Sequence, residues 1–214
     1  MYVSTRRHGH AGSIIPNQKY ENIEGPYVRK NTESSEKMII AAFAGVGKTY
    51  FCNHVERAKD FVCMPYKYIL PKGKLDVGEE EARKSDWSLA LNLEYPRNFV
   101  EGILENRNRY DYLVIPSDSR VLEGLKGKNV SYLLCYPEAG AKEEYRKRYL
   151  QRGNTEDFID IFIGNWEGFM ESLRRDTYGT HIILSEKEYL LDVKGKMDEI
   201  ISRLRKAGCH ENEK

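Results

Sequence analysis

The sequence has little that would mark a membrane, secreted or nucleic-acid-binding protein. No stretch of its 214 residues approaches the roughly 18 consecutive apolar residues that a membrane span needs. The first residues hold no apolar run of the secretory type. The four cysteines, Cys52, Cys63, Cys135 and Cys209, are scattered without a Cys-x-x-Cys pair, the usage expected of free thiols in a reducing cytoplasm. Cys209 and His210 have no further zinc ligand near them in sequence. Net charge is only +1, so bulk charge gives no reason to expect a nucleic-acid partner. What is present is a polar, 31% charged chain with a mean hydropathy of −0.66. Its length suits about one domain with a real core.

Residues 1–36 are rich in Gly, Asn, Ser, Arg and Glu and show no apolar period. They read as a loosely ordered arm ahead of a domain at 37–214. Within that domain, short apolar runs alternate with helical periods. Strands are expected at 38–43, 61–70, 110–115, 130–136 and 181–184. Helices are expected at 49–59, 96–106, 121–126, 142–151, 156–175 and 193–206. The charged, glycine-containing segment 71–86 reads as an exposed insertion. On the long helix, Phe158, Ile161, Phe162, Trp166, Phe169 and Leu173 form a core stripe. Strands that alternate with helices point to a parallel sheet covered on both faces, with the loops after the strands gathered along one edge.

The segment MIIAAFAGVGKTY, residues 38–50, places a glycine-rich turn between the first strand and the first helix. Such a turn aims successive backbone N–H groups inward as a phosphate nest. Gly45 and Gly47 permit the backbone angles and the close approach. Lys48 can reach the β- and γ-phosphates of a nucleotide, and Thr49 can put its hydroxyl on Mg²⁺. The binding stretch is Ala44, Gly45, Val46, Gly47, Lys48, Thr49 and Tyr50. The usual pattern has a first glycine where this chain has Ala42. Alanine fits there if its φ stays negative.

Asp118 follows the third strand, where a carboxylate can orient Mg²⁺ and its waters, and Arg120 could meet a substrate phosphate. Ser117 or Asp118 also suits a helix N-cap. In EEYRKRYLQRGN, residues 143–154, Glu144, Arg148 and Arg152 share a helix face. The two arginines could neutralise a transferring phosphoryl group, or they could simply belong to a solvated face with weak Glu–Arg pairs. Tyr95, Arg97 and Asn98 open the helix that leads into the third strand. Arg97 could hold an acceptor phosphate, and Tyr95 could stack on a base or pack in the core.

In order and context, GVGKT, SDSR and RKRYLQRG resemble the nucleoside and nucleotide kinases. The stretches YPRNFVEGIL, YDYLVIPSD, CYPE and FIDIFIGNWEGFMESL further resemble nucleotide-kinase-like ATP-binding proteins of bacteria and phages. That resemblance implies an α/β P-loop NTPase three-layer sandwich. Its five-stranded parallel sheet would have order 2-3-1-4-5, with helices on both faces. It implies ATP and Mg²⁺ at the loop, with Thr49 and Asp118 at the metal. Lys48, Asp118, Arg148 and Arg152 would be catalytic, the two arginines in a lid. Tyr95, Arg97 and Arg120 would take the acceptor.

Nucleoside kinases carry a carboxylate near the end of the second strand to deprotonate a sugar hydroxyl. The expected second strand, FVCMPYKYIL, has none, which tilts the expectation towards a nucleoside monophosphate acceptor. Asp76 or Glu79-Glu80-Glu81 could substitute. The competing readings are an ATP-hydrolysing switch without a small acceptor and a kinase of another hydroxyl. No Asn-Lys-x-Asp motif for guanine is found. A homodimer is compatible with the sequence.

Overall fold

The computed structural model describes residues 37–69 and 90–209. The arm at 1–36, the insertion at 71–86, Asp76, Glu79–Glu81 and His210 lie outside the described residues.

The chain runs β1 (Met38–Ala42), α1 (Lys48–His54), β2 (Ala58–Asp60), α2 (Met64–Lys67), β3 (Tyr68–Ile69) and β4 (Ala90–Leu91). It continues through α3 (Arg97–Asn106), β5 (Tyr112–Pro116), α4 (Ser119–Lys126), β6 (Leu133–Pro137), α5 (Lys142–Gln151), α6 (Glu156–Gly164), α7 (Trp166–Arg174), β7 (Thr180–Leu184) and α8 (Lys194–Cys209). Five strands form one sheet in the order β2-β5-β1-β6-β7, every pair parallel, and β3 and β4 form a separate antiparallel pair.

β1 is the middle strand, which explains its unbroken apolar run: both of its faces are covered, and Ile39 to Ala42 are buried. Its last residue, Ala42, pairs with Pro116 on one side and Cys135 on the other. The crossover through α1 leads one way across the sheet, and those through α3, α4 and α5–α7 lead the other way. Right-handed crossovers therefore put α1 on the opposite face from the rest. α8 shares the face of α1, because Tyr112 meets Phe51 of α1 edge-on and donates from its hydroxyl to Asp198 of α8. The other face is aromatic. Phe43 packs edge-on against Phe162, Trp166 and Phe169, and the buried Trp166 donates from Nε1 to Ala139 O at 2.8 Å.

Two elements depart from expectation. The expected strand at 61–70 is instead a loop, the turn of α2 and the two residues of β3. The second sheet strand comes earlier, as Ala58-Lys59-Asp60, because α1 ends at His54 and Arg57 turns the chain with φ 57°. The long helix at 156–175 is two helices broken at Asn165. The break changes the phase of the apolar stripe, and Ile161 lies 59% exposed while Phe162 packs inward.

Candidate functional site

The ends of β1 and β5 lie side by side, and their onward connections leave to opposite faces. An open α/β sheet forms a crevice at such a place. The loop after β1 supplies one wall. Gly45 and Gly47 hold φ of 84° and 87°, in the left-handed region that a side chain disfavours. Both glycines are also crowded. A Cβ on Gly45 would lie 2.8 Å from the Tyr149 ring, and one on Gly47 would lie 3.1 Å from the Tyr189 ring. Ala42 ends β1 without a positive φ, so alanine is tolerated where the usual pattern has glycine.

The loop is braced from behind. Tyr149 donates from its hydroxyl to Ala44 O at 3.0 Å, and Leu190 N donates to Val46 O at 2.8 Å. Val46 is buried, whereas Tyr50 faces solvent and stacks on His54 at 3.9 Å. Lys48 curls back over the loop, donating from Nζ to Phe43 O at 3.0 Å and to Ala42 O at 3.4 Å. Thr49 Oγ1 donates to Asp60 Oδ2 at 2.7 Å.

Asp60 overturns one expectation. A carboxylate does end the second strand of the sheet, at a residue that the expected boundary left between helix and strand. Its Oδ1 is buried and has no hydrogen-bond partner among the described residues. The signal was slight: an acid standing just where the helical period gives out, directly before Phe61-Val62. Cys52 lies near it. Burial, then the Asp60 charge, push the Cys52 thiol up to about 12, so it is a neutral thiol at physiological pH.

On the β5 side stands Asp118, two residues past the end of the strand. It caps α4, accepting from Arg120 N at 3.0 Å. It also accepts from Arg120 Nε at 3.2 Å, from Arg120 Nη2 at 2.9 Å and from the Tyr95 hydroxyl at 3.0 Å. The N-cap role and the site position therefore coincide in one residue. Burial alone raises the carboxyl, but the bonds from Arg120 and Tyr95 outweigh it and hold Asp118 below the usual carboxylate range. Burial, followed by the nearby Cys63 and Asp118, pushes the Tyr95 hydroxyl far above its ordinary value, so it stays a donor. The Arg120 guanidinium lies 5.0 Å from the centre of the Tyr95 ring, and Tyr95 also packs on Phe99.

One of the two expected lid arginines is placed differently from expectation. Arg148 is not an outward lid residue. It is 3% exposed and lies between the rings of Tyr145 (4.6 Å) and Tyr189 (3.9 Å). It donates to Glu186 O at 2.8 Å and Glu188 O at 3.2 Å, and it meets Glu144 at 3.4 Å. Its charge is thus satisfied by the segment after β7, and it ties that segment to α5. Arg152, by contrast, stands exposed at the end of α5, where Gly153 with φ 69° stops the helix. Arg97 pairs with Glu94 at the surface and is 72% exposed.

No family model, curated protein or solved structure matches the chain. Any functional reading must therefore stand on the residues themselves. Among the described residues no three His, Cys, Asp or Glu side chains gather as a metal cage, and no helix is long and apolar enough to cross a membrane.

Proposed function

We propose that this chain is a P-loop phosphotransferase that moves the γ-phosphate of Mg-ATP to a nucleoside or nucleoside monophosphate. The observation that carries the reading is the grouping of Lys48, Thr49 and Asp60 at one glycine loop, with Thr49 hydrogen-bonded to Asp60. Further support comes from the sheet. Counted among themselves along the chain, its strands run in the order 2-3-1-4-5, the order implied by the resemblance to nucleotide kinases.

The residues fit the groups they would hold. Gly45 and Gly47 hold the positive φ with which successive backbone N–H groups can turn towards one anion. Lys48 can exchange the carbonyls of Ala42 and Phe43 for phosphate oxygens, which accept more strongly. Thr49 would hold Mg²⁺ and its waters at the loop, and Asp60 stands beside it through its hydrogen bond to Thr49. Mg²⁺ keeps several waters and leans on substrate phosphates, so it needs no protein cage. Bound there, it would neutralise charge between the β- and γ-phosphates.

Asp60 also changes the expected acceptor. The tilt towards a monophosphate rested on a missing carboxylate, and Asp60 supplies one. In the proposed reaction an acceptor oxygen bonds to the γ-phosphorus as its bond to the β-phosphate oxygen breaks. The acceptor proton passes to the Asp60 carboxylate, and ADP leaves. Asp118 and Tyr95 shape the acceptor wall. Arg152, at the free end of α5, is the arginine available to a transferring phosphate.

The test is ADP release from Mg-ATP by the purified chain across a panel of nucleosides and their monophosphates. Strong stimulation by one acceptor is expected. Tight ATP binding with no stimulation by any of them would replace this reading with an ATP-binding switch.

A further inference from the structure

Two cations converge on one aromatic ring in the acceptor wall. Lys67 Nζ, at the end of α2, lies 5.8 Å from the centre of the Tyr95 ring and 5.5 Å from that of Tyr68. The Arg120 guanidinium lies 5.0 Å from the same Tyr95 ring. Lys67 is half-buried and has no ion pair or side-chain hydrogen bond among the described residues. Its position is set by the backbone: Lys67 N donates to Cys63 O, and Lys67 O accepts from Asn92 N. Asn98 fixes the same turn by donating to Tyr66 O at 2.9 Å.

The charges do not cancel. Asp118 is held as a carboxylate and is taken up by Arg120 in a two-pronged pair. Among the described residues, Lys67 then leaves the cluster with one positive charge in excess. A half-buried ammonium over aromatic rings, with no carboxylate partner among the described residues, gains most from an anionic ligand. The ring of Tyr95 is held in place from behind, 6.2 Å from Phe99, which in turn stacks on Phe61 at 5.3 Å.

We infer that the acceptor is an anion, and that Lys67 and Arg120 hold its phosphate or carboxylate group against the Tyr95 ring. The inference rests on the proposed phosphotransfer and names its substrate class. It makes Lys67, on α2, the specificity-determining residue, in the role that the sequence suggested for Arg97. Discrimination follows from it. A neutral analogue leaves the Lys67 charge half-buried and unpaired, so it binds less well than its anionic counterpart.

Two experiments on the full chain test this. The first measures ADP release with matched acceptors: each nucleoside against its monophosphate, and sugars against the corresponding sugar acids and sugar phosphates. The anionic member of a pair is expected to stimulate more. Lys67→Met is expected to raise its KM about tenfold with kcat within about twofold, and Lys67→Arg to restore it. A neutral acceptor that matches its anionic partner, with KM unchanged in Lys67→Met, would overturn the inference and leave phosphotransfer standing. The sugar acids and sugar phosphates tell a carboxylate from a phosphate.

The second experiment needs no turnover. The lysines are ¹³C-methylated, and the Lys67 resonance, identified by its loss in Lys67→Met, is followed by NMR as inorganic phosphate or acetate is added. A saturable shift absent with chloride at equal ionic strength, and weakened in Arg120→Met, supports the inference even if no acceptor is turned over. A Lys67 signal that responds no more than to chloride overturns it.

Discussion

Thr49 Oγ1 donates to Asp60 Oδ2 at 2.7 Å, tying the start of α1 to the end of β2. The other carboxylate oxygen is buried and unpartnered among the described residues. A half-satisfied buried acceptor weakens a structure, so its retention suits a group that gains a partner when substrate arrives.

Asp60→Asn tests that directly. It keeps the shape and an oxygen for Thr49 but cannot take a proton. Acceptor-stimulated ADP release should fall about 100-fold or more, with ATP affinity changed far less. Stability against urea should hold or rise. A variant with wild-type turnover would remove Asp60 from the chemistry.

The glycine loop after β1 has its own signature. Gly45→Ala places a Cβ 2.8 Å from the Tyr149 ring at φ 84°. It should destabilise the fold by about 1–3 kcal/mol. Urea denaturation of the variant checks this, and an unchanged midpoint would mean that the loop is not held in this form.

The two arginines of α5 should separate cleanly. Arg148→Met strands the carbonyls of Glu186 and Glu188 and removes the guanidinium from between two rings. It should cost about 2–4 kcal/mol of stability. Arg152→Met, at an exposed site, should leave stability within about 0.5 kcal/mol but lower kcat about tenfold or more. Equal effects of the two variants on stability would contradict the buried placement of Arg148.

Asp118 links the start of α4 to pH. Its folded-state pKa lies below the unfolded value of 3.8, so folding favours the carboxylate. That contribution is whole above the unfolded value and is lost as pH falls through the lowered one. The stability gap between the wild type and Asp118→Asn should therefore be constant near neutrality and shrink below about pH 4. Denaturation curves at several pH values measure it, and a gap that widened in acid would reverse the sign.

Much of this was legible in the chain itself, and the misses have physical causes. The apolar run of β1 and the periodic, glycine-stopped α5 stand out because buried middle strands and capped helices leave strong local marks. β2 is three residues, two of them charged, on a sheet edge, so no pattern announces it. FVCMPYKYIL looks like a strand by composition, yet Pro65 sits in the first turn of α2. The helical period puts Arg148 on one face with Glu144, which it meets at 3.4 Å. Only tertiary structure shows that the segment after β7 covers that face. Lys67 carries no motif at all and gains meaning only where α2 meets the Tyr95 ring.

The most direct test of the central claim is a comparison of wild type with Lys48→Ala for Mg-ATP affinity and ADP release. The Lys48 side chain donates to the carbonyls of Ala42 and Phe43 on its own loop, and the variant is expected to stay folded, with an unchanged circular-dichroism spectrum. It should lose tight ATP binding and turnover. A folded Lys48→Ala protein that binds and turns over ATP like the wild type would contradict the phosphate-loop reading.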